Sequence, residues 1–222
     1  MTQFHSYRPE EGHRLAHEPT NSIIAPRPIG WISTVSADGV ANIAPYSLFN
    51  LFSYRPPIIG FSSGAEKDSV VNARATGEFV WNLVGRDLTD VMILTSDEVG
   101  PEVDEFEMVG LEKLASIDVA PPRVAASAVQ FECKVTQIMQ LNDIEGKPTD
   151  YRMVFGQVVH VHINSACIVE NVYQTTHPVP VLRGGGPADY YEIRAEALFQ
   201  QRRRGTYKAV HRPREHPSKG LP

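Results

Sequence analysis

The sequence predicts a mainly β protein, built from antiparallel strands in a barrel or sandwich with few helices. Three observations predict it. From residue 28 onward, short apolar, β-branched and aromatic runs alternate with turn residues at close spacing. Two longer runs, SAVQFECKVTQIMQL (127–141) and YRMVFGQVVHVHIN (151–164), flank a turn at Glu145-Gly146-Lys147-Pro148. Helix-like composition is confined to 67–77, 87–99 and 104–114.

The first twenty residues mix acids, histidines and prolines and read as an irregular arm. PIGWISTVS and VANIAPYSLFN then form a hairpin, because Ala37-Asp38-Gly39 permits a tight reversal. Pro45 interrupts the second run. Without an N–H it places the chain at a sheet edge, a bulge or an irregular stretch near a site. PPIIGFSS and EFVWNLV supply two more strands, and KDSVVNARATG between them reads as a helix that stops on Gly77. DLTDVMILTSDEV is helical in composition, and DEFEMVGLEKL is a surface excursion carrying a short helix. The two long runs pair as an antiparallel hairpin. In the first of them Val129, Phe131, Cys133, Val135, Met139 and Leu141 are expected on one face. Pro178, Pro180, Gly184, Gly185, Gly186 and Pro187 mark a loop before DYYEI, and no repeat at about 20 to 50 residues points to a solenoid or propeller.

A chain of 222 residues, 42% hydrophobic, can bury one sizeable core. The simplest organisation is one domain over 21–200, an N-terminal arm at 1–20 and a tail at 201–222. No aliphatic run could span a bilayer, and the start lacks the basic-then-apolar pattern of a signal peptide, so no membrane partner and a cytoplasmic location are expected. Cys133 and Cys167 form neither a disulfide framework nor a CxxC pair, and Cys133 reads as a buried, inert thiol. The net charge of −5 is uneven: the residues after 201 carry +6 and the rest −11. The basic tail reads as a mobile arm that packs partly on a partner subunit, and the acidic body argues against nucleic acid.

Walker, HExxH and GxSxG patterns are absent, which removes the usual signatures of P-loop hydrolysis, zincin proteolysis and nucleophile-elbow hydrolysis. Gly184-Gly185-Gly186 is a loop rather than a dinucleotide fingerprint, since no strand-to-helix context surrounds it. His160 and His162 share a strand face at a chelating spacing, but no third ligand is evident and surface histidines are expected. In GFSSGAEKDSVVNARATG a strand ends in small hydroxyl residues and feeds a loop with Lys67, then a helix opening near Asp68 and Ser69. Helix amides, the hydroxyls of Ser62, Ser63 and Ser69, and one ammonium suit a phosphate; capping by Asp68 or Ser69 beside a solvated Lys67 explains the stretch equally well. PRPIGWIST and ANIAPYSLFNLFSYRPP bring aromatic, small and amide side chains together, as a flat heterocycle requires. Core packing explains Trp31 and Phe49 equally.

Taken in order, APRPIGWISTVSADGVANIAPYSLFN, YRPPIIGFSS, KDSVVNARATGEFVWNLV and the long GQVVHVHI strand resemble the flavin-reductase-like, FMN-binding split-barrel family, over about residues 21 to 195. That resemblance implies an antiparallel, Greek-key split β-barrel with a few peripheral helices, working as a homodimer with flavin sites near the subunit interface. It implies Arg27 and Pro28 flanking FMN, with Asn42, Ala44, Pro45, Tyr46, Ser47 and Asn50 along the ring and ribityl chain. Ser62, Ser63, Lys67, Asp68 and Ser69 would hold the phosphate, while Arg183 and Tyr190 would serve the partner's site. The implied activity is transfer of electrons from NADH or NADPH through FMN to an acceptor such as free flavin, oxygen, a metal centre or a monooxygenase. No catalytic side chain is expected, because hydride transfer depends on alignment. The alternatives are an electron carrier, an oxidoreductase acting on another small molecule, and an FMN-binding protein without turnover.

Overall fold

The structure, a computed structural model, describes residues 2–201, so the basic tail falls outside the described residues apart from its first residue. After helix α1 (Thr20–Ile23) come the short strand β1 (Arg27–Pro28) and β2 (Gly30–Val35), β3 (Ala41–Tyr46), β4 (Phe49–Tyr54) and β5 (Pro57–Gly64). Helix α2 (Asp68–Thr76) leads to β6 (Glu78–Asn82), followed by α3 (Thr89–Leu94), α4 (Glu105–Met108) and the small pair β7 (Lys113–Leu114) and β8 (Arg123–Val124). The long strands β9 (Val129–Asn142) and β10 (Pro148–Ile163) precede a second small pair, β11 (Ile168–Val169) and β12 (Val172–Tyr173). The last strands, β13 (Val181–Arg183) and β14 (Tyr190–Glu192), join β1 in a three-stranded sheet.

Seven strands make one antiparallel sheet in the order β3-β2-β6-β9-β10-β5-β4. Strands β3 and β4 stand at opposite ends of it, yet only Ser47 and Leu48 separate them in the chain. Seven flat strands would set those edges about 29 Å apart, far beyond the reach of two residues. The sheet therefore curls until its edges meet. Tyr46 of β3 packs on Phe61 of β5 with ring centroids 4.7 Å apart, and the Ser62 amide donates to the Leu48 carbonyl at 2.8 Å. This is the split β-barrel expected from the sequence, but VANIAPYSLFN is not one strand. It breaks at Ser47 because the chain there crosses the seam. Pro45 lies on the edge strand β3, where its missing N–H costs no ladder bond.

The barrel interior is filled by Ile32, Tyr46, Phe61, Phe79, Cys133, Val154 and Val158, and α2 closes against it with Val70 and Ala73. Gly77 ends α2 at φ 73°, a left-handed conformation that glycine adopts freely. A second cluster outside the barrel joins Trp31 and Ile43 to Met92, Phe106, Val124 and Val181. Strand β2 is thus covered on both faces, with Trp31 turned outward and its indole N–H donating to Thr95 Oγ1 at 3.0 Å.

Two bulges change what the alternation predicts. Thr136 is an extra residue in β9, between the pairs Val135↔Gly156 and Gln137↔Phe155. It resets the face, so Ile138 packs on the core and Met139, expected inside, is exposed. Val159 is skipped likewise between Val158↔Cys133 and His160↔Glu132. Beyond it Val159, Val161 and Ile163 are exposed, while His160 and His162 face carboxylates rather than open solvent. His162 Nε2 lies 2.6 Å from Glu132 Oε1, and His160 Nδ1 lies 2.9 Å from Asp118 Oδ2. Among the described residues no cluster of His, Cys, Asp and Glu is arranged to hold a metal.

Glu132 is fully buried and accepts the backbone N–H groups of Ile117 and Asp118, which ties the 115–122 segment to the sheet. Desolvation pushes its carboxyl upward, but those two amides and the His162 ring outweigh it and hold it below the ordinary 4.5. Its stabilising contribution is therefore present above 4.5 and lost as pH falls through the depressed folded value. Glu132→Gln is expected to cost about 1–3 kcal/mol at neutral pH, with the gap to the parent closing in acid. Urea melts at pH 7 and in acid check this; a gap that does not narrow would contradict the charge-based account.

Candidate functional site

Two clefts meet at the barrel seam, sharing Pro45 and Ser96 as walls. The first, of 330 Å³, is bounded by Asn42, Ala44, Pro45 and Tyr46 of β3, by Lys67, Asp68 and Ser69 at the start of α2, and by Thr95 to Val99 and Glu105. The second, of 360 Å³, runs from Pro45 and Ser47 past Ile29, Met92 and Ile93 to Arg183, Ala188 and Tyr190. Topology explains the meeting. The break at the seam leaves β3 side chains uncovered by a neighbouring strand, and α2 and α3 flank the opening.

The side chains of the first cleft are wired together. Asn42 Oδ1 accepts the hydroxyls of Ser69 at 2.8 Å and Thr34 at 3.1 Å, and Asn72 Nδ2 donates to Thr34 Oγ1 at 3.2 Å. Asn42 Nδ2 donates to Glu105 Oε1 at 2.6 Å. The Ser69 hydroxyl is thus engaged inward, and what Ser69 turns to the cleft is its position at the helix start. Lys67 occupies the N-cap position and no side chain caps the helix, so the capping explanation is not realised. Backbone N–H groups at a helix start attract an anion. The Lys67 ammonium pairs with Glu98 at 3.3 Å on the surface, an exposed pair that is easily exchanged.

Among the described residues, the buried side-chain polar atoms with no partner at full hydrogen-bond geometry are Tyr46 Oη, Ser62 Oγ, Glu105 Oε2 and Arg27 Nε. Leaving such a group unsatisfied costs about 1–3 kcal/mol, so each points to a missing partner. Tyr46 and Glu105 both border the first cleft. The Ser69 and Ser63 hydroxyls lie near enough to the Tyr46 oxygen to lower its pKa, but burial outweighs them and keeps the phenol neutral. The uncapped helix start, Lys67 and the Tyr46 phenol offer donors to a phosphate ester carrying a flat group, while Asp97 and Glu98 bring acid to the same border.

The other expected residues are placed as follows. Ser63 Oγ donates to the Ala65 carbonyl at 3.1 Å, and Ser62 is buried beside the Ser47-Leu48 crossing. Arg27 donates to the carbonyls of Asn21, Ile24 and Gly184, which ties α1 to the glycine-rich loop. Arg183 donates to the Asp189 and Pro187 carbonyls and stacks over Tyr190 at 5.1 Å, forming one wall of this chain's own second cleft. Pro28 and Asn50 lie elsewhere, in an apolar groove of 290 Å³ with Phe49, Leu51, Trp81, Phe131, Tyr173 and Leu182. Glu105 and the 95–99 segment were not legible as site residues. DEFEM reads as solvated acid, and only the tertiary fold buries its glutamate.

Comparison with known proteins identifies the domain. The flavin reductase like domain matches residues 24–181. An uncharacterized protein of Aquifex aeolicus is 35% identical over 170 residues, covering 73% of this chain and 83% of its own. The crystal structure of a 2-nitrobenzoate 2-nitroreductase from Pseudomonas fluorescens superposes with a TM-score of 0.70 at 26% identity, over 90% of this chain and 91% of that one. Nitrilotriacetate monooxygenase component B from Bacillus cereus shares the fold, with a TM-score of 0.79 at 24% identity over 90% of this chain and 100% of that one.

Proposed function

Since the chain belongs to the flavin reductase like family of flavin-binding oxidoreductases, we propose that it binds FMN in the paired clefts and accepts electrons from NADH or NADPH for delivery to an acceptor. The observation that carries this reading is the uncapped start of α2 beside Lys67 and the buried Tyr46 phenol, in a cleft that continues along β3 to apolar walls. Lys67 and the first amides of α2, those of Asp68 and Ser69 included, would hold the phosphate. Ala44, Pro45 and Ser47 would line the ribityl chain, and Ile29, Met92 and Tyr190 would wall the ring. What FMN supplies when bound is the redox chemistry: acceptance of hydride from the nicotinamide and release of electrons to the acceptor. The protein binds, aligns and shields, and no side chain need transfer a proton. A monooxygenase component is one acceptor this reading accommodates; the fold shared with nitrilotriacetate monooxygenase component B is what brings it into view.

The reading includes a second copy of the chain as partner. The apolar groove that holds Pro28 and Asn50 lies beside exposed Leu51 and Phe52, and Val159, Val161 and Ile163 are exposed beyond the second bulge. Such apolar area is the kind that subunit contact covers.

Fluorescence quenching with FMN, FAD and riboflavin, followed by anaerobic addition of NADH and NADPH, tests the function. FMN is expected to bind more tightly than either other flavin, and one nicotinamide is expected to bleach the flavin bands. Equal affinity for FMN and riboflavin would remove the phosphate site. Bound FMN that neither nicotinamide bleaches would leave an electron carrier or a binding protein.

A further inference from the structure

Glu105 opens α4 within an acidic run, yet it is only 4% exposed. Its Oε1 accepts from Asn42 Nδ2, while Oε2 is buried with no partner at full hydrogen-bond geometry, on a residue that borders the first cleft and whose carboxyl also feels the backbone N–H groups of Glu105 and Ile43. The bonds around Asn42 fix a direction. Its amide oxygen is already taken by Ser69 and Thr34, and its nitrogen can only donate, so Glu105 Oε1 must accept. A proton on this carboxyl therefore belongs on Oε2.

Several charged and titratable groups border the same cleft as Glu105. Lys67 and Asp68 stand at the start of α2, Tyr46 on β3, and Asp97 and Glu98 on the segment after α3. On its own element, Asp104 and Glu107 both pair with Lys113. Burial raises the Glu105 carboxyl above the ordinary 4.5; the Glu105 amide, Asn42 and the Ile43 amide pull it down, and Asp68 adds to the rise. An ionised Glu105 would be one more carboxylate against an anion in a cleft with a single lysine. A neutral Glu105 would instead be a hydrogen-bond donor at the border of that cleft.

Resting on the FMN reading above, we propose that Glu105 is a cofactor-recognition residue that donates its Oε2 proton to the phosphate of FMN, so that binding of the phosphate ester takes up one proton. No covalent bond changes. The proton comes from solvent when Glu105 is ionised in the free protein and returns there on release. Affinity for FMN is therefore coupled to pH through this chain's own residue, and affinity for riboflavin is not.

Dissociation constants for FMN and riboflavin, measured by fluorescence quenching between about pH 6.5 and 9, test this on the full chain and on Glu105→Gln. In that range the free phosphate, with a second pKa of about 6, is mainly a dianion. The parent is expected to lose up to about tenfold in FMN affinity per pH unit as Glu105 ionises, while riboflavin binding stays level. Glu105→Gln, whose amide donates at every pH, is expected to lack that slope. FMN profiles that run parallel in the two proteins would overturn the proposal, as would a riboflavin slope equal to that of FMN. Should the variant fail to fold, titration calorimetry of the parent near pH 8 in two buffers of different ionisation enthalpy decides. Proton uptake with FMN and not with riboflavin supports the role; no uptake overturns it. Failure of the parent to bind FMN at all would instead overturn the functional reading itself.

Discussion

Gly156→Val is expected to keep the chain from reaching its native fold. Gly156 lies on β10 opposite Val135, beside the Thr136 bulge. A Cβ there would sit 2.3 Å from Phe79 Cε1, 2.6 Å from Cζ and 3.1 Å from Cys133 Cβ. Phe79 cannot yield. It is fully buried and meets Phe61 edge to face at 5.6 Å, in the middle of the barrel interior. Overpacking of this kind costs about 1–3 kcal/mol and occasionally more. Gly156→Ala is expected near the top of that range, and valine, with two further methyl groups, should exceed it. Against a total stability of about 5–15 kcal/mol, that loss is severe. Chemical denaturation of Gly156→Ala, alone and combined with Phe79→Leu, gives the direct check. Together the two should cost less than the sum of their separate costs. Strict additivity would show that the ring is not what Gly156 accommodates.

The second large effect falls on the cofactor. Lys67→Ala is expected to weaken FMN binding roughly ten- to hundredfold, since a charge-assisted hydrogen bond contributes about 1.5–3 kcal/mol. Riboflavin, which lacks the phosphate, should be indifferent to the change. Adding Ser69→Ala removes the hydroxyl that donates to Asn42 and loosens the start of α2, so a further loss of about tenfold is expected. The Lys67 step should shrink as salt rises, because the ammonium is exposed, while the Ser69 step inside the protein should persist. An unchanged FMN dissociation constant in the double variant would reduce the loop to a structural helix start.

What was legible in the sequence followed local rules. Asp38-Gly39 and the Glu145-Gly146-Lys147-Pro148 turn announce their hairpins, Gly77 announces the end of α2, and Pro45 announces an edge, a bulge or an irregular stretch, of which the edge is realised. Lys67, Asp68 and Ser69 line a cleft with Asn42, Ala44, Pro45 and Tyr46; residue types singled out each segment, and only the family resemblance joined them. Nothing local announces a bulge. Thr136 and Val159 are ordinary strand residues, and the register shifts at them are why Met139, expected inside, is exposed and why His160 and His162 lie against Asp118 and Glu132. Glu105 was hidden for a related reason. Its neighbours Asp104 and Glu107 are the kind of acids that face water, and only contact with Asn42, more than sixty positions earlier, makes one acid of that run a cleft residue.

The seam also sets an order of events for a chain emerging from its N-terminus. The hairpins β2–β3 and β4–β5 can form as soon as residue 64 is available, since each joins neighbours in sequence. Their mutual arrangement cannot. Between β2 and β5 the sheet requires β6, β9 and β10, the last of which ends at Ile163. Until that long hairpin slots into the gap, β2 and β5 each expose an unpaired edge, and the closure that brings Tyr46 onto Phe61 has no support. Most of the first cleft is translated within the opening third of the chain, yet it becomes a cavity only when the late strands arrive. A nascent or truncated chain lacking β10 would accordingly present sticky hairpins to chaperones before it could offer a cofactor anywhere to bind.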